Sequence, residues 1–70
     1  MLSNDIIEEI TFQAMQDFAD KNDGVSGWTR DEIEKLVLEK GGERRDVLRA
    51  MALGMNLCGV EGYQLGGRHN

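Results

Sequence analysis

Apolar side chains return every three or four residues in three stretches of this chain, and no stretch alternates apolar with polar over the length of a strand. That spacing puts the apolar groups on one face of a helix. In the first stretch Ile7, Ile10, Thr11, Ala14 and Phe18 form a stripe flanked by Ile6 and Met15, while Glu9, Gln13, Gln16 and Asp20 lie opposite. Ser3 stands where a hydroxyl accepts from the first free amides of a helix. Leu2 and Ile7 occupy the staple positions around it. A helix is expected over about residues 4–21, ending before Gly24. Phe12 breaks the pattern, because it falls on the polar side beside Glu8.

The second stretch has the clearest start. Thr29 followed three residues later by Glu32 is a capping box, bracketed by Trp28 and Ile33 as a staple. Asp31 and Lys35 add a correctly oriented i,i+4 pair. Ile33, Leu36 and Val37 make the inner stripe, Leu38 points well away from it, and Gly41 and Gly42 end a helix over 30–40. In the third stretch, 43–58, Val47, Met51, Met55 and Cys58 share a face that Leu48 and Ala52 widen. Ala50, Gly54 and Leu57 extend it on the other side. Arg45, Asp46, Arg49 and Asn56 keep only a narrow polar strip. A helix so apolar around its girth belongs at the centre of the core, and Ala50 and Gly54, four apart, let another helix come close. Gly59 fits a left-handed residue after the last turn, with Val60 against Met55.

Three such helices give an all-α, compact three-helix bundle as a single domain over residues 1–60. Residues 61–70, with Gly62, Gly66 and Gly67, read as a mobile glycine-rich tail docked at most through Tyr63 and Leu65.

Seventy residues bury only about 60% of the unfolded surface, which leaves a domain marginal without a disulfide, a metal or a second subunit. The lone Cys58 excludes an internal disulfide, and a chain without a cysteine pair suits a reducing, cytoplasmic compartment. The apolar run 51–60 is broken by Gly54 and Asn56 and is too short for a bilayer. The first ten residues lack the basic start of a secretory signal. The net charge of −5 is unevenly spread. Residues 1–27 carry six acids and one lysine, whereas residues 43–70 carry four arginines and three acids. That balance disfavours binding nucleic acid by charge alone.

Four kinds of chemistry bear on these residues. The segment from Asp20 to Glu32, DKNDGVSGWTRDE, has the outline of a calcium EF-hand-like loop. No register, however, supplies both the glycine and the closing bidentate glutamate that such a loop requires. Starting at Asp20 leaves Val25 at the glycine position and Asp31 at the end, so Glu32 is read as the cap partner of Thr29. The helix–Gly-Gly–helix outline resembles a helix-turn-helix DNA reader, with Arg44, Arg45 and Arg49 at the start of its second member. Against it, Val37 occupies the place of the small residue that normally allows close helix packing. Catalysis finds no support: Cys58 lies on an apolar face, His69 is the only histidine, and neither a nucleophile–base pair nor a metal-ligand cluster is present. No cofactor or metal is expected.

The remaining kind is contact with another protein. Phe12 and Leu38 lie off their inner stripes and Trp28 opens the second helix, so these three are the expected anchors. Glu8, Glu9 and Asp17 would steer toward a basic surface on a larger partner. Small size, acidity and the absence of catalytic groups fit a protein-binding regulator or inhibitor. That is the general character of small accessory proteins of phages and plasmids, an analogy of type only. A homodimer is compatible with this reading. A DNA-binding regulator is the first alternative and a calcium-binding protein the second.

Overall fold

Each helix begins where a short side chain takes up free backbone amides. The Ser3 hydroxyl accepts from the Ile6 N–H at 3.3 Å, and the Thr29 hydroxyl accepts from the Glu32 N–H at 3.2 Å. At the third start the roles reverse: the Glu43 N–H donates to the Asp46 carboxylate at 2.9 Å, the returning half of a capping box. The structure, a computed structural model, describes the backbone of residues 1–67 and the side chains of residues 1–58. Its helices are α1 (Asn4–Lys21), α2 (Arg30–Glu39) and α3 (Arg44–Gly67). No strand occurs among the described residues, and the all-α three-helix architecture read from the periodicity is the one observed.

The ends are set by left-handed residues. Gly41, with φ +80°, follows α2; its N–H donates to Leu38 C=O at 3.0 Å and the Gly42 N–H donates to Val37 C=O at 2.8 Å. This is the Schellman pattern. It closes α2, whereas the sequence reading placed such an ending after α3. At the end of α1, Asp23 takes φ +56° and the Gly24 N–H reaches back to Ala19 C=O at 2.8 Å. The third helix does not stop at Cys58 but continues to Gly67. The expected Val60–Met55 contact and the tail over 61–70, with Tyr63 and Leu65, concern side chains outside the described residues, as does His69.

The three helices pack against one another around Ile7, Ile10, Ala14, Trp28, Ile33, Val37, Val47 and Ala50. The radius of gyration is 11.0 Å, matching the ~11 Å of a compact chain of this length. The stripes on α1 and α2 are those read from the sequence, but the inner face of α3 is rotated. It centres on Val47, Ala50 and Gly54, with Met51, Leu53 and Cys58 half-buried at its edges, while Leu48, Ala52, Met55 and Leu57 are exposed. Small residues face inward because two bulky neighbours need the room. Thr11 of α1 donates its hydroxyl to Ala50 C=O at 3.3 Å. The Trp28 ring lies so close to Gly54 that a methyl group there would stand 2.7 Å from Trp28 Nε1.

Trp28 is thus the largest fully buried side chain, and Gly54 is its seat. Gly54→Ala gains about 1 kcal/mol in helix propensity but forces the ring or the helix to move, an overpacking cost of about 1–3 kcal/mol. Urea unfolding followed by Trp28 fluorescence is expected to show a net loss of stability. A variant more stable than the parent would contradict the close packing.

Candidate interaction surface

A carboxylate with no exposed surface organises the end of the bundle where the chain begins. Asp46 is fully buried. Its Oδ2 accepts from the Glu43 N–H, and its Oδ1 accepts from the Leu2 N–H at 3.2 Å and from Arg49 Nη1 at 2.8 Å. The same Arg49 guanidinium donates to Leu2 C=O at 2.6 Å and to Asn4 Oδ1 at 2.6 Å. One acid and one arginine, a single turn apart on α3, therefore bind the residues that lead into α1. The sequence reading put both on an exposed polar strip. The available signal was the acid at the third position of α3, where a capping acid stands.

This network decides the fate of the three arginines considered for DNA. Arg49 is half-buried and occupied, so it is not free to reach a base edge. Arg45 is exposed, with Nη1 3.8 Å from Met1 Sδ. Arg44 is exposed and lines a groove between α2 and α3.

The expected protein contacts separate onto different faces. Trp28 is a core residue, which corrects its assignment as an anchor: as the staple before α2 it is drawn inward with Ile33. Phe12 keeps 53% of its surface exposed. It lies one turn beyond Glu8 and Glu9, both exposed, while its neighbours Ile10 and Thr11 are buried. Asp17 lies half-buried further along α1, lining grooves against α2, and accepts from Gln13 Nε2 at 3.0 Å. Glu9 lines one of these grooves as well and pairs with Lys40 Nζ at 3.9 Å, so Glu8 is the acid beside Phe12 that stays clear of α2. Leu38 is 63% exposed and lines the α2–α3 groove, which holds about 370 Å³ between Arg30, Glu34 and Leu38 on one wall and Arg44, Val47 and Leu48 on the other. Leu48, 57% exposed, was missed because it was counted into the core face of α3.

Between α1 and α2, the Asp17 and Glu32 carboxyls line the same two grooves. A hydrogen bond to Asp17, with burial and the Asp17 charge, holds Glu32 above the ordinary glutamate value. The bonds from Glu32 and Gln13 hold Asp17 below the ordinary aspartate value. At the end of α1 the Asn22 amide donates to Phe18 C=O at 2.8 Å, and the Asp20 carboxylate accepts from Gln16 at 3.1 Å. Among the described residues no three His, Cys, Asp or Glu side chains gather as a metal site would need. Cys58 is a free, half-buried thiol packed against the core cluster. Among the described residues no helix is long and apolar enough to cross a membrane. No protein-family model, curated protein or solved structure matches the chain.

The Glu43 N–H above all, with Arg49 and the Leu2 N–H, holds Asp46 below the ordinary carboxylate range against the opposing effect of burial. The ionised form is favoured in the fold, so the unfolded chain binds this proton more tightly. The contribution is complete above the unfolded value of about 3.9 and is lost as pH falls through the lower folded value. Asp46→Asn is expected to unfold more easily at neutral pH and to show a shallower loss of stability below about pH 4. Glu32 has the opposite sign: its contribution is complete below about pH 4.3 and fades as pH rises past its raised value. Urea midpoints across pH check both, and an Asp46→Asn curve parallel to the parent's would contradict the assignment.

Proposed function

We propose that this chain is a small protein-binding module that regulates or inhibits a larger partner by occupying part of its surface, with Phe12 of α1 as the anchor. The carrying observation is an aromatic ring, more than half exposed, fixed on a helix whose opposite face is fully committed to the core. Aromatic anchors contribute disproportionately at interfaces because they bring large apolar area at a low cost in rotamer entropy. Glu8 and Glu9, four and three residues before Phe12, place negative charge where a helical side chain leans, toward the N-terminal turn. The complementary surface is an apolar cleft with a basic rim, and the acids accelerate encounter with it more than they tighten it.

This reading keeps Phe12, Glu8 and Glu9 from the sequence and gives up Trp28 and Asp17. DNA recognition is less well supported, since Arg49 is bound to Leu2, Asn4 and Asp46. The exposed position one turn after Arg44 is also an apolar Leu48.

The test is capture from the native host with tagged parent, Phe12→Ser and a Glu8→Lys, Glu9→Lys double variant, each confirmed folded by circular dichroism. A partner retained by the parent is expected to be lost on Phe12→Ser, a change of about 2 kcal/mol or more. The charge variant is expected to slow capture and weaken its salt dependence. An identical set of captured proteins for parent and Phe12→Ser would remove the reading.

A further inference from the structure

We infer that the α2–α3 groove is the contact between two copies of this chain, related by a two-fold axis through its middle. The inference is independent of the Phe12 face, which lies outside this groove.

The residues that line the groove form a pattern complementary to itself. Its α2 wall runs toward the Lys40–Glu43 turn through Arg30, Glu34 and Leu38, and its α3 wall leaves that turn through Arg44 and Leu48. Leu38 and Arg44 are therefore nearest the turn on their two walls. Glu34 and Leu48 each stand four residues further out, about 6 Å along the helix. A two-fold axis lying in the interface along the Leu38–Leu48 diagonal exchanges the other two corners. Leu38 meets Leu38 of the second copy, Leu48 meets Leu48, and Glu34 meets Arg44 of the second copy twice by symmetry. An isologous contact demands this matching of a patch with its own rotated image.

Charge selects the same face. The chain carries −5, so two copies repel over most orientations. Arg30 and Arg44 outnumber the single Glu34 in the groove, which makes it locally positive on an acidic protein. Among contacts of a face with its own copy, repulsion is smaller here than on the acidic faces, and the Glu34–Arg44 pairs add attraction. The apolar centre is already assembled: Leu38 and Leu48 are more than half exposed, and Val47 is buried at the floor between them. Burying both leucines removes apolar surface that a domain of this size otherwise leaves in water. A contact confined to this groove is smaller than the ~800 Å² per side of a standard interface, and a dimer in exchange with monomer is expected.

Sedimentation velocity over a micromolar-to-millimolar series tests this. The parent is expected to shift from monomer to twice the monomer mass. Leu38→Glu, at an exposed position that leaves the fold intact by circular dichroism, is expected to weaken association at least tenfold. Glu34→Arg and Arg44→Glu are each expected to weaken it, and the double variant to restore it, because both crossed pairs are rebuilt with the signs exchanged. A monomer at every concentration would overturn the inference. So would a dimer unaffected by Leu38→Glu, or a double variant no better than the single ones. Phe12→Ser is expected to dimerise as the parent does.

Discussion

A buried carboxylate is tolerated only when every oxygen is answered, and Asp46 is answered from three directions at once. The amide that opens α3, the amide of Leu2 and the Arg49 guanidinium all converge on it. Leaving any of them out strands a charge away from water, a costlier state than never having buried it. The position of α1 against α3, the turn at Gly42 and the start of α3 are thereby tied to one another. Gly42 takes part because a methyl group there would stand 2.7 Å from Leu2 Cδ1 and 3.1 Å from Asp46 Oδ2. The turn must be bare for the carboxylate to reach its donors.

The other end of the bundle is governed by the Trp28 ring and its seat. With Gly54 beneath it and Ala50 one turn earlier, α3 presents its smallest residues to the core and its larger ones, Leu48 and Met55, to solvent. Gly27 follows the same logic: a methyl group there would stand 2.6 Å from the Phe18 ring. Large rings from α1 and the start of α2 thus fit against bare backbone, and volume is matched pairwise across the interior.

The helices on α1 and α2 were legible because each carries a hydroxyl cap, a staple and one unbroken stripe, all local signals. The face of α3 was not, because nearly every position there is apolar and the period alone does not select a direction. What selects it is the shape of Trp28, far from α3 in sequence and outside any local pattern, and the depth of Asp46, which looks like any surface acid until Leu2 is folded against it. The off-stripe signal at Phe12 and Leu38 did mark exposed side chains. It failed at Trp28 because a residue before a cap has no stripe to leave, and it missed Leu48 because a stripe drawn too wide absorbed it. Phe12 and Leu38, read together as one patch, belong to two separate faces.

The Leu2–Asp46 hydrogen bond closes a span of 44 residues, most of the described chain. A contact of that reach forms only after α1 has met α3, because neither the leading residues nor the α2–α3 pair holds the carboxylate's full set of donors. The molecule therefore lacks a part that is stable by itself: opening at its leading edge exposes the acid, loosens the first turn of α3, and propagates to Val37 through Gly42. Such a domain behaves as one cooperative unit, and its amides exchange with solvent by whole-body unfolding more than by fraying.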